Sequence, residues 1–396
     1  MKIYEITFWL CLFIVFYTYV GYGILLYLLV KIKERFIFHK PSFTIPSDAL
    51  PHMTLFITAY NEESVVNEKM QNSLDLDYPV NKLHILWVTD GSNDKTNELL
   101  KLWKEAKVLY QTERLGKTAA INRGMQYVST PIVIFTDANT NLNTEALIEI
   151  ANAFTNPKVG CVAGEKRIIV KEKDNAASGG EGIYWKYESA LKSLDSRLYS
   201  TVGAAGELFA IRRELFEEMN ADTLLDDFTL SLRIAMRGYT IKYCAEAYAM
   251  ETGSADMHEE EKRKVRIAAG GLQSMWRLRA LLNPIKYKWL SFQYLSHRVL
   301  RWSITPIALF LLIPLNIILV NNNTKFPYIL FLVLQAIFYI MGTCGYIISK
   351  KQITSKILFI PYYFLFMNLN VFRGGFYLLR HCNNTGTWEK AQRANR

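Results

Sequence analysis

Long uncharged apolar segments lie near both ends of the chain. Residues 6–30, 302–320 and 326–349 contain no charged side chain, and about 20 apolar residues are enough to cross a bilayer as a helix. The pattern therefore predicts three membrane spans. Residues 357–379 form a fourth candidate, but Arg373 interrupts this segment, so it either crosses fully or is re-entrant or interfacial.

The charges around the first apolar segment indicate its orientation. The segment is longer than the apolar part of a signal peptide and lacks a small-residue cleavage site, which favours a retained anchor. The basic run KIKER follows it at 31–35, so the positive-inside rule places the next residues in the cytoplasm. Lys350 and Lys351 fit the same side. The basic tail 381–396 is outside if the fourth segment crosses and inside if it does not.

Between the spans, from about residue 51 to residue 283, short apolar runs alternate with helical patterns. The apolar runs at 53–60, 83–90, 106–111 and 131–138 are predicted strands. The segments 62–74, 93–105 and 117–128 are predicted helices. This alternation indicates an α/β fold with a mainly parallel sheet and helices on both faces.

The predicted strands end in polar residues, and the fourth continues as IVIFTDAN. Ligands bind at the carboxyl edge of parallel sheets, and a strand buried on both faces has no structural need to end on a carboxylate. Asp137 therefore either faces a ligand site, where it can hold a cation, or closes an Asx turn or caps a helix.

Composition and charge narrow the partners. The 396 residues are 51% hydrophobic and 21% charged, which fits a membrane protein with one sizeable soluble body. The net charge is +10, and basic clusters beside the spans would attract anionic headgroups or phosphate ligands. We expect no nucleic-acid partner, because the charge does not form one stripe. The five cysteines show no pairing or metal spacing, which indicates a reducing compartment.

A set of short motifs occurs in a fixed order along the central segment. They are TAYNEE, VTDGSND, RLGKTAAINRG, FTDAN, GAAGELFAIRREL, LLDDFTLSLRIAMRGY and RKVRIAAGG. Together they resemble the inverting family 2 glycosyltransferases, in particular the membrane-embedded branch with hyaluronan, chitin, cellulose and poly-N-acetylglucosamine synthases. The resemblance covers roughly residues 53–271 and implies a GT-A nucleotide-sugar-binding domain with transmembrane helices at both ends.

The resemblance implies a donor site at the ends of the first two strands. Thr58, Tyr60 and Glu62 correspond to the stretch that wraps the nucleoside, and Asp90 corresponds to the aspartate that hydrogen-bonds the base. Lys117 resembles the family lysine beside the diphosphate, where an ammonium is favourable. The residues alone also allow a plain tight turn at Asp90 and a solvated helix start at Lys117.

The resemblance also implies a divalent cation, Mg²⁺ or Mn²⁺. The segment TDAN stands where the family has its DxD motif, so Asp137 would bind the metal, with Asn139 as a second candidate ligand. Asn139 is neutral where many relatives carry Asp. Mg²⁺ keeps several waters and needs only one or two carboxylates beside phosphate oxygens.

The acids in LLDDFTLSLR stand where the family has its TED motif. By this resemblance Asp227 is the base that deprotonates the acceptor hydroxyl, and Asp226 takes the place of the Glu. Burial beside a second acid would raise the pKa of such a base. Two acids at a helix start are also typical of capping and of a favourable interaction with the helix dipole.

Two further motifs resemble acceptor and diphosphate contacts. Gly206, with Gly203, would let the backbone approach the sugar closely. Arg263 and Arg266 stand at the Gln and Arg of the family's QxxRW motif, where an Arg fork suits a diphosphate. Ile267 replaces the Trp of that motif, which leaves processivity open. An amphipathic helix on the membrane surface is a compatible interpretation.

These expectations combine into one domain plan. We predict an N-terminal anchor (1–35), a cytoplasmic GT-A domain (36–271), interfacial helices (272–301), a C-terminal transmembrane region (302–380) and a polar tail (381–396) in a bacterial inner membrane. The predicted activity is sugar transfer from a UDP-sugar to a growing polysaccharide, with translocation left open. The alternatives are distributive transfer to a lipid-linked acceptor and, from another class, a non-catalytic nucleotide-binding scaffold.

Overall fold

A single mixed sheet forms the centre of the protein. The computed structural model describes residues 1–36, 45–169, 176–322, 326–350 and 356–380. The strands are β1 (Met53–Ala59), β2 (Leu83–Thr89), β3 (Ala106–Leu109), β4 (Ile132–Asp137), β5 (Asn141–Leu142), β6 (Val159–Ile169), β7 (Leu208–Arg212) and β8 (Thr240–Thr252). They lie in the order β3-β2-β1-β4-β7-β6-β8-β5 in one 8-stranded sheet.

The helices both cover this sheet and extend away from it. They are α1 (Lys2–Phe16), α2 (Tyr22–Phe36), α3 (Val66–Leu74), α4 (Thr96–Leu100), α5 (Lys117–Met125), α6 (Ala146–Ala153), α7 (Ala176–Leu198), α8 (Asp226–Met236), α9 (Met257–Arg277), α10 (Pro284–Tyr294), α11 (Leu300–Trp302), α12 (Ile304–Asn322), α13 (Phe326–Lys350) and α14 (Lys356–Arg380). A π-helical turn, Tyr17–Gly21, joins α1 to α2, and a second one, Leu295–Val299, precedes α11.

The four predicted strands are confirmed, and they pair in parallel in the order β3-β2-β1-β4. The sheet then changes direction, because β7 is antiparallel to both β4 and β6, while β6 and β8 pair in parallel. The predicted helix at 93–105 is shorter than expected, since α4 covers only Thr96–Leu100. The sheet is therefore mainly parallel but mixed, and larger than the sequence pattern alone indicated.

Neighbouring side chains of each central strand enter opposite layers of the core. In β1, Leu55 and Ile57 pack with α3 and α6 on one face, whereas Phe56 packs with α5 and α8 on the other. This alternation follows from the strand period of two residues. Both faces are covered, which explains why the strands are continuous apolar runs.

Four helices are long and apolar enough to cross a membrane: Lys2–Phe36, Ile304–Asn322, Phe326–Ser349 and Ile357–Arg380. The three predicted spans coincide with the first three of these helices. Arg373 of the fourth helix forms an ion pair with Glu261 of α9 and donates a hydrogen bond to Asn370. This arginine therefore meets a carboxylate of the central domain. Lys351 and the tail 381–396 lie outside the described residues.

Close backbone contact fixes α14 against α9. A Cβ added at Gly374 would lie 2.7 Å from the Cβ of Ala268 and 2.7 Å from the backbone nitrogen of Ala269. Such contact is possible only because Gly374 has no side chain. The last apolar helix is thereby held against the helix that carries Arg263 and Arg266.

We predict that Gly374→Ala destabilises the protein although Ala is the better helix former. Overpacking at this contact should cost about 1–3 kcal/mol, seen as a lower midpoint in thermal unfolding of the detergent-purified protein. Gly375→Ala is the matched control, because its Cβ would meet only the Leu272 side chain at 3.6 Å. Equal unfolding midpoints for the two variants would contradict the close packing of α9 and α14.

Candidate active site

A cavity of about 730 Å³ opens at the carboxyl ends of β1, β2 and β4. Except for Gly203, the residues that the sequence singled out as site candidates line this cavity. These residues are Thr58, Tyr60, Glu62, Asp90, Lys117, Asp137, Asn139, Gly206, Asp226, Asp227, Arg263 and Arg266. The structure brings them together; their roles stay predictions.

Lys117 lies at the centre of this arrangement. Its Nζ is 2.7 Å from Oδ1 of Asp137 and 3.9 Å from Oδ2 of Asp226. Burial alone would lower the pKa of Lys117, but the negative charges of Asp137 and Asp226 outweigh it and raise that pKa. One ammonium therefore joins the end of β4 to the start of α8, and Lys117 is not a solvated helix start.

Gly206 approaches this centre through its backbone. A Cβ at Gly206 would lie 3.3 Å from Nζ of Lys117 and 3.5 Å from Oδ2 of Asp227. A side chain here would press on both charged groups. Gly203, by contrast, packs against the ring of Phe228 and is not among the residues that line the cavity.

The two adjacent acids occupy the first turn of α8 and do not cap it. The N-cap residue is Leu225, which makes no side-chain capping hydrogen bond. Oδ2 of Asp226 is buried and makes no hydrogen bond to any described residue. Burial first, and the neighbouring charge of Asp226 second, raise the pKa of Asp227 to about 7, against the opposing effect of Lys117. Asp227 is thus a carboxyl group that can gain or lose a proton near neutral pH.

Asp137 uses its side chain for the cavity and its backbone for the turn. The carboxylate meets Lys117, while the backbone carbonyl accepts from the amide and the hydroxyl of Thr140, at 3.4 and 2.9 Å. The Asx-turn alternative therefore does not describe this residue. Asn139 lines the cavity from the same turn.

The oxygen ligands at the end of β4 fit a metal ion that also binds phosphate oxygens and water better than one held by protein side chains alone. Within the described part of the chain, no cluster of three or more His, Cys, Asp or Glu side chains is suited to hold a metal ion. Mg²⁺ and related cations accept one or two protein oxygens when phosphate oxygens and water complete the shell. Asp137, with the Asn139 amide nearby, supplies that number of ligands.

Asp90 holds the loop that leads to Lys117. Its two carboxylate oxygens accept from the backbone amides of Leu115 and Gly116, at 3.0 and 2.7 Å. Each carboxylate oxygen has a second lone pair, so a contact with a nucleotide base would add to these bonds. The interpretation of Asp90 as a plain tight turn does not include this link between the end of β2 and the start of α5.

Tyr60 is covered by a residue that the sequence did not single out. The guanidinium of Arg114 lies 3.8 Å from the centroid of the Tyr60 ring, a cation–π contact. Arg114 belongs to the RLGK motif, and both residues line the cavity. Glu62 is positioned by its backbone amide, which donates to Thr96 Oγ1 at 2.8 Å.

A further part of the cavity lining comes from α9 and from the residues just before β7. Arg263 is buried and forms an ion pair with Glu260 at 3.5 Å. Glu207, next to Gly206, lines the cavity and pairs with Lys166 at 2.6 Å. Burial would raise the pKa of Glu207, but the charges of Lys166 and Arg263 hold it well below its usual range. Glu207 lies in the GAAGELFAIRREL motif. No local pattern indicated its ion pair, because Lys166 is distant in sequence.

A further group of cavity residues was not predicted at all. These residues come from α7 and from the helices after α10, and they carry charged or aromatic side chains: Tyr184, Trp185, Glu188, Lys192, Arg298, Arg301 and Trp302. Nothing in their local spacing distinguishes them from an ordinary amphipathic surface. They reach the cavity only because α7 packs against the spans and the π-helical turn.

The central segment matches a known family. Residues 54–219 match the family model described as Glycosyl transferase family 2. A beta-monoglucosyldiacylglycerol synthase of Trichormus variabilis is 27% identical over 241 residues, which cover 57% of this chain and 50% of that protein. A poly-beta-1,6-N-acetyl-D-glucosamine synthase of Staphylococcus aureus is 28% identical over 261 residues, 63% of this chain and 60% of that protein. The chain thus spans about half or slightly more of the length of these relatives.

The fold has a solved counterpart. The mannosyltransferase PcManGT from Pyrobaculum calidifontis, in complex with GDP-Man and Mn²⁺, matches with a TM-score of 0.70 and 20% sequence identity. The match covers 96% of this chain and 100% of that chain. It confirms the predicted GT-A fold with apolar helices near both ends.

Proposed function

Because residues 54–219 match the Glycosyl transferase family 2 model, we propose that this protein is a membrane-integrated inverting glycosyltransferase. The donor is a nucleotide-sugar, UDP-linked, and the acceptor is a saccharide or a lipid-linked molecule. One observation carries the proposal. Asp137, Lys117 and the Asp226–Asp227 pair converge on one cavity, which supplies a site for the diphosphate and a proton acceptor side by side.

The donor half of the cavity is built from the sheet edge. We assign the nucleoside to Thr58, Tyr60, Glu62 and Asp90, all of which line the cavity. The diphosphate would meet the ammonium of Lys117, which already faces carboxylates. Arg263 and Arg266 approach from α9, and a guanidinium suits phosphate oxygens.

A divalent cation, Mg²⁺ or Mn²⁺, would be the cofactor in this proposal. Its support is the donor set at the end of β4 and the Mn²⁺ in the complex of the structural counterpart. When bound, the cation neutralises negative charge that grows on the departing nucleotide. Asp137 would hold it, with Asn139 as a second oxygen donor.

Asp227 is the proposed general base. Its carboxylate takes the proton of the acceptor hydroxyl as that oxygen bonds to the anomeric carbon. The bond from the anomeric carbon to the phosphate oxygen breaks, and the nucleotide leaves with the electron pair. Attack opposite the leaving group inverts the anomeric configuration. A carboxyl pKa of about 7 suits a base that works near neutral pH.

The acceptor side decides between polymerisation and single transfer. By their names, one relative makes a glucosyl lipid and another makes a polysaccharide, so we keep both acceptor types in the proposal. The catalytic domain (36–271) would face the cytoplasm of a bacterial inner membrane, anchored by 1–35 and 302–380, because KIKER follows the first span. A non-catalytic scaffold would not need Asp227.

We predict that Asp227→Asn abolishes transfer while nucleotide binding stays near wild type. The amide has the same shape but accepts no proton, so the rate should fall at least about 100-fold. The measurement is release of UDP from a panel of UDP-sugars, with product formation from the active donor. Asp75→Asn, an exposed acid at the end of α3, is the control. Equal turnover by Asp227→Asn and wild type would reject the assigned base.

We predict a different defect for Asp137→Ala. Loss of this carboxylate should reduce the gain in UDP affinity that Mn²⁺ provides by about tenfold or more, since each tenfold is about 1.4 kcal/mol. Titration calorimetry of UDP with and without Mn²⁺ measures this difference. Asp227→Asn should retain the full metal effect. An unchanged metal effect in Asp137→Ala would remove Asp137 from the cation site.

A further inference from the structure

Lys192 is a buried lysine in the wall of the cavity. It lies on α7, is only 3% exposed and lines the cavity. Among the described residues it makes no hydrogen bond or ion pair, and its nearest aromatic contact is the ring of Trp185 at 5.6 Å. Burial lowers the pKa of Lys192. A buried cation of this kind normally has a charged or hydrogen-bonded partner.

The two carboxylates on α7 beside Lys192 are already paired with other cations. Glu188, one turn away on α7, pairs with both Arg298 and Arg301. Asp195, one turn further along, pairs with His297, with 2.6 Å between Oδ2 and Nδ1. Arg298 and Arg301 therefore share the one carboxylate of Glu188, and Glu207 of the same cavity pairs with Lys166. The wall is suited to a negatively charged ligand group.

This wall is continuous with the membrane helices. Tyr19, between α1 and α2, lines the same cavity, and its hydroxyl donates to Oδ1 of Asn368 on α14 at 2.7 Å. The residues of α14 that precede Asn368 and line the cavity are apolar or aromatic, among them Phe359, Tyr363 and Met367. Both helices are among those apolar enough to cross a membrane. An amphipathic molecule could therefore place its head at Lys192 and its chain against α14.

The base candidate faces the same cavity as this ammonium. Asp227, Glu188 and Lys192 all line it. A phosphate as the attacking group would need no base, since it is already ionised. A hydroxyl carried beside a phosphate would use both features, because Asp227 accepts the proton while Lys192 binds the anion.

We propose that Lys192, supported by Arg298 and Arg301, binds the phosphate of a membrane-resident acceptor. The acceptor class is a hydroxyl-bearing headgroup joined through phosphate to a lipid. This inference rests on the transferase proposal for its acceptor, but the site itself is a binding site that can be measured without turnover. Ammonium and guanidinium groups are the usual protein partners of phosphate.

The test compares ligands that differ only in charge or in lipid. Dihexanoyl phosphatidylglycerol is the anionic probe, dihexanoylglycerol the neutral one and glycerol 3-phosphate the soluble one. Affinities are measured with purified full-length protein below the micelle concentration. We expect Lys192→Met to weaken binding of the anionic probe at least tenfold and to leave the weaker binding of the neutral probe unchanged.

Three controls keep the result interpretable. Lys186→Met removes an exposed lysine of the same helix and should bind the anionic probe as wild type does. Lys192→Arg keeps the charge and should restore most of the affinity. Normal UDP binding by Lys192→Met shows that the variant is folded, and it separates failure at this subsite from failure of the transferase proposal.

Any one of three results would overturn the inference. The first is equal affinity of wild type and Lys192→Met for the anionic probe. The second is equal affinity of wild type for the anionic and neutral probes. The third is glycerol 3-phosphate binding as tightly as the lipid, which would exclude a membrane-resident acceptor.

Discussion

The candidate active site depends on the ion pairs that the Lys117 ammonium makes. This ammonium joins Asp137, at the end of a central strand, to Asp226, at the start of a helix far along the chain. Without this cation, the carboxylates of Asp137 and Asp226 would repel each other with no compensating positive charge between them. The same balance sets the proton affinity of Asp227, because burial and Asp226 raise its pKa while Lys117 lowers it. In the proposed mechanism, donor binding and proton transfer would therefore be linked through one side chain.

The sheet edge could be predicted from sequence because its information is local. Apolar runs identified β1, β2, β3 and β4, and the polar residues after them marked the ligand edge. The order of the motifs then indicated Asp137 as the metal ligand and Asp227 as the base. The antiparallel half of the sheet was not predicted, because the direction of β7 depends on its pairing with β4 and β6. Spacing along the chain does not encode such pairings.

The part of the cavity wall around Lys192 could not be predicted, for a related reason. Lys192 and Glu188 lie on α7, whose local sequence shows no distinctive motif. Their place in the cavity depends on Arg298, Arg301 and the apolar helices that pack around them. Contact between Gly374 of α14 and Ala268 of α9 closes the same region. The membrane helices thus form part of the cavity wall, and they would bring a lipid-held acceptor directly to the base.

The pH dependence of transfer tests this account most directly. At saturating donor, kcat/KM for the acceptor should rise with pH along an acid limb centred at about 7, because Asp227 must be ionised to accept the proton. Asp226→Asn removes the like charge that raises this pKa, so its acid limb should move to lower pH. A rate that is flat between about pH 5.5 and 8.5, or an acid limb that Asp226→Asn leaves in place, would contradict the claim that these coupled carboxylates carry the proton transfer.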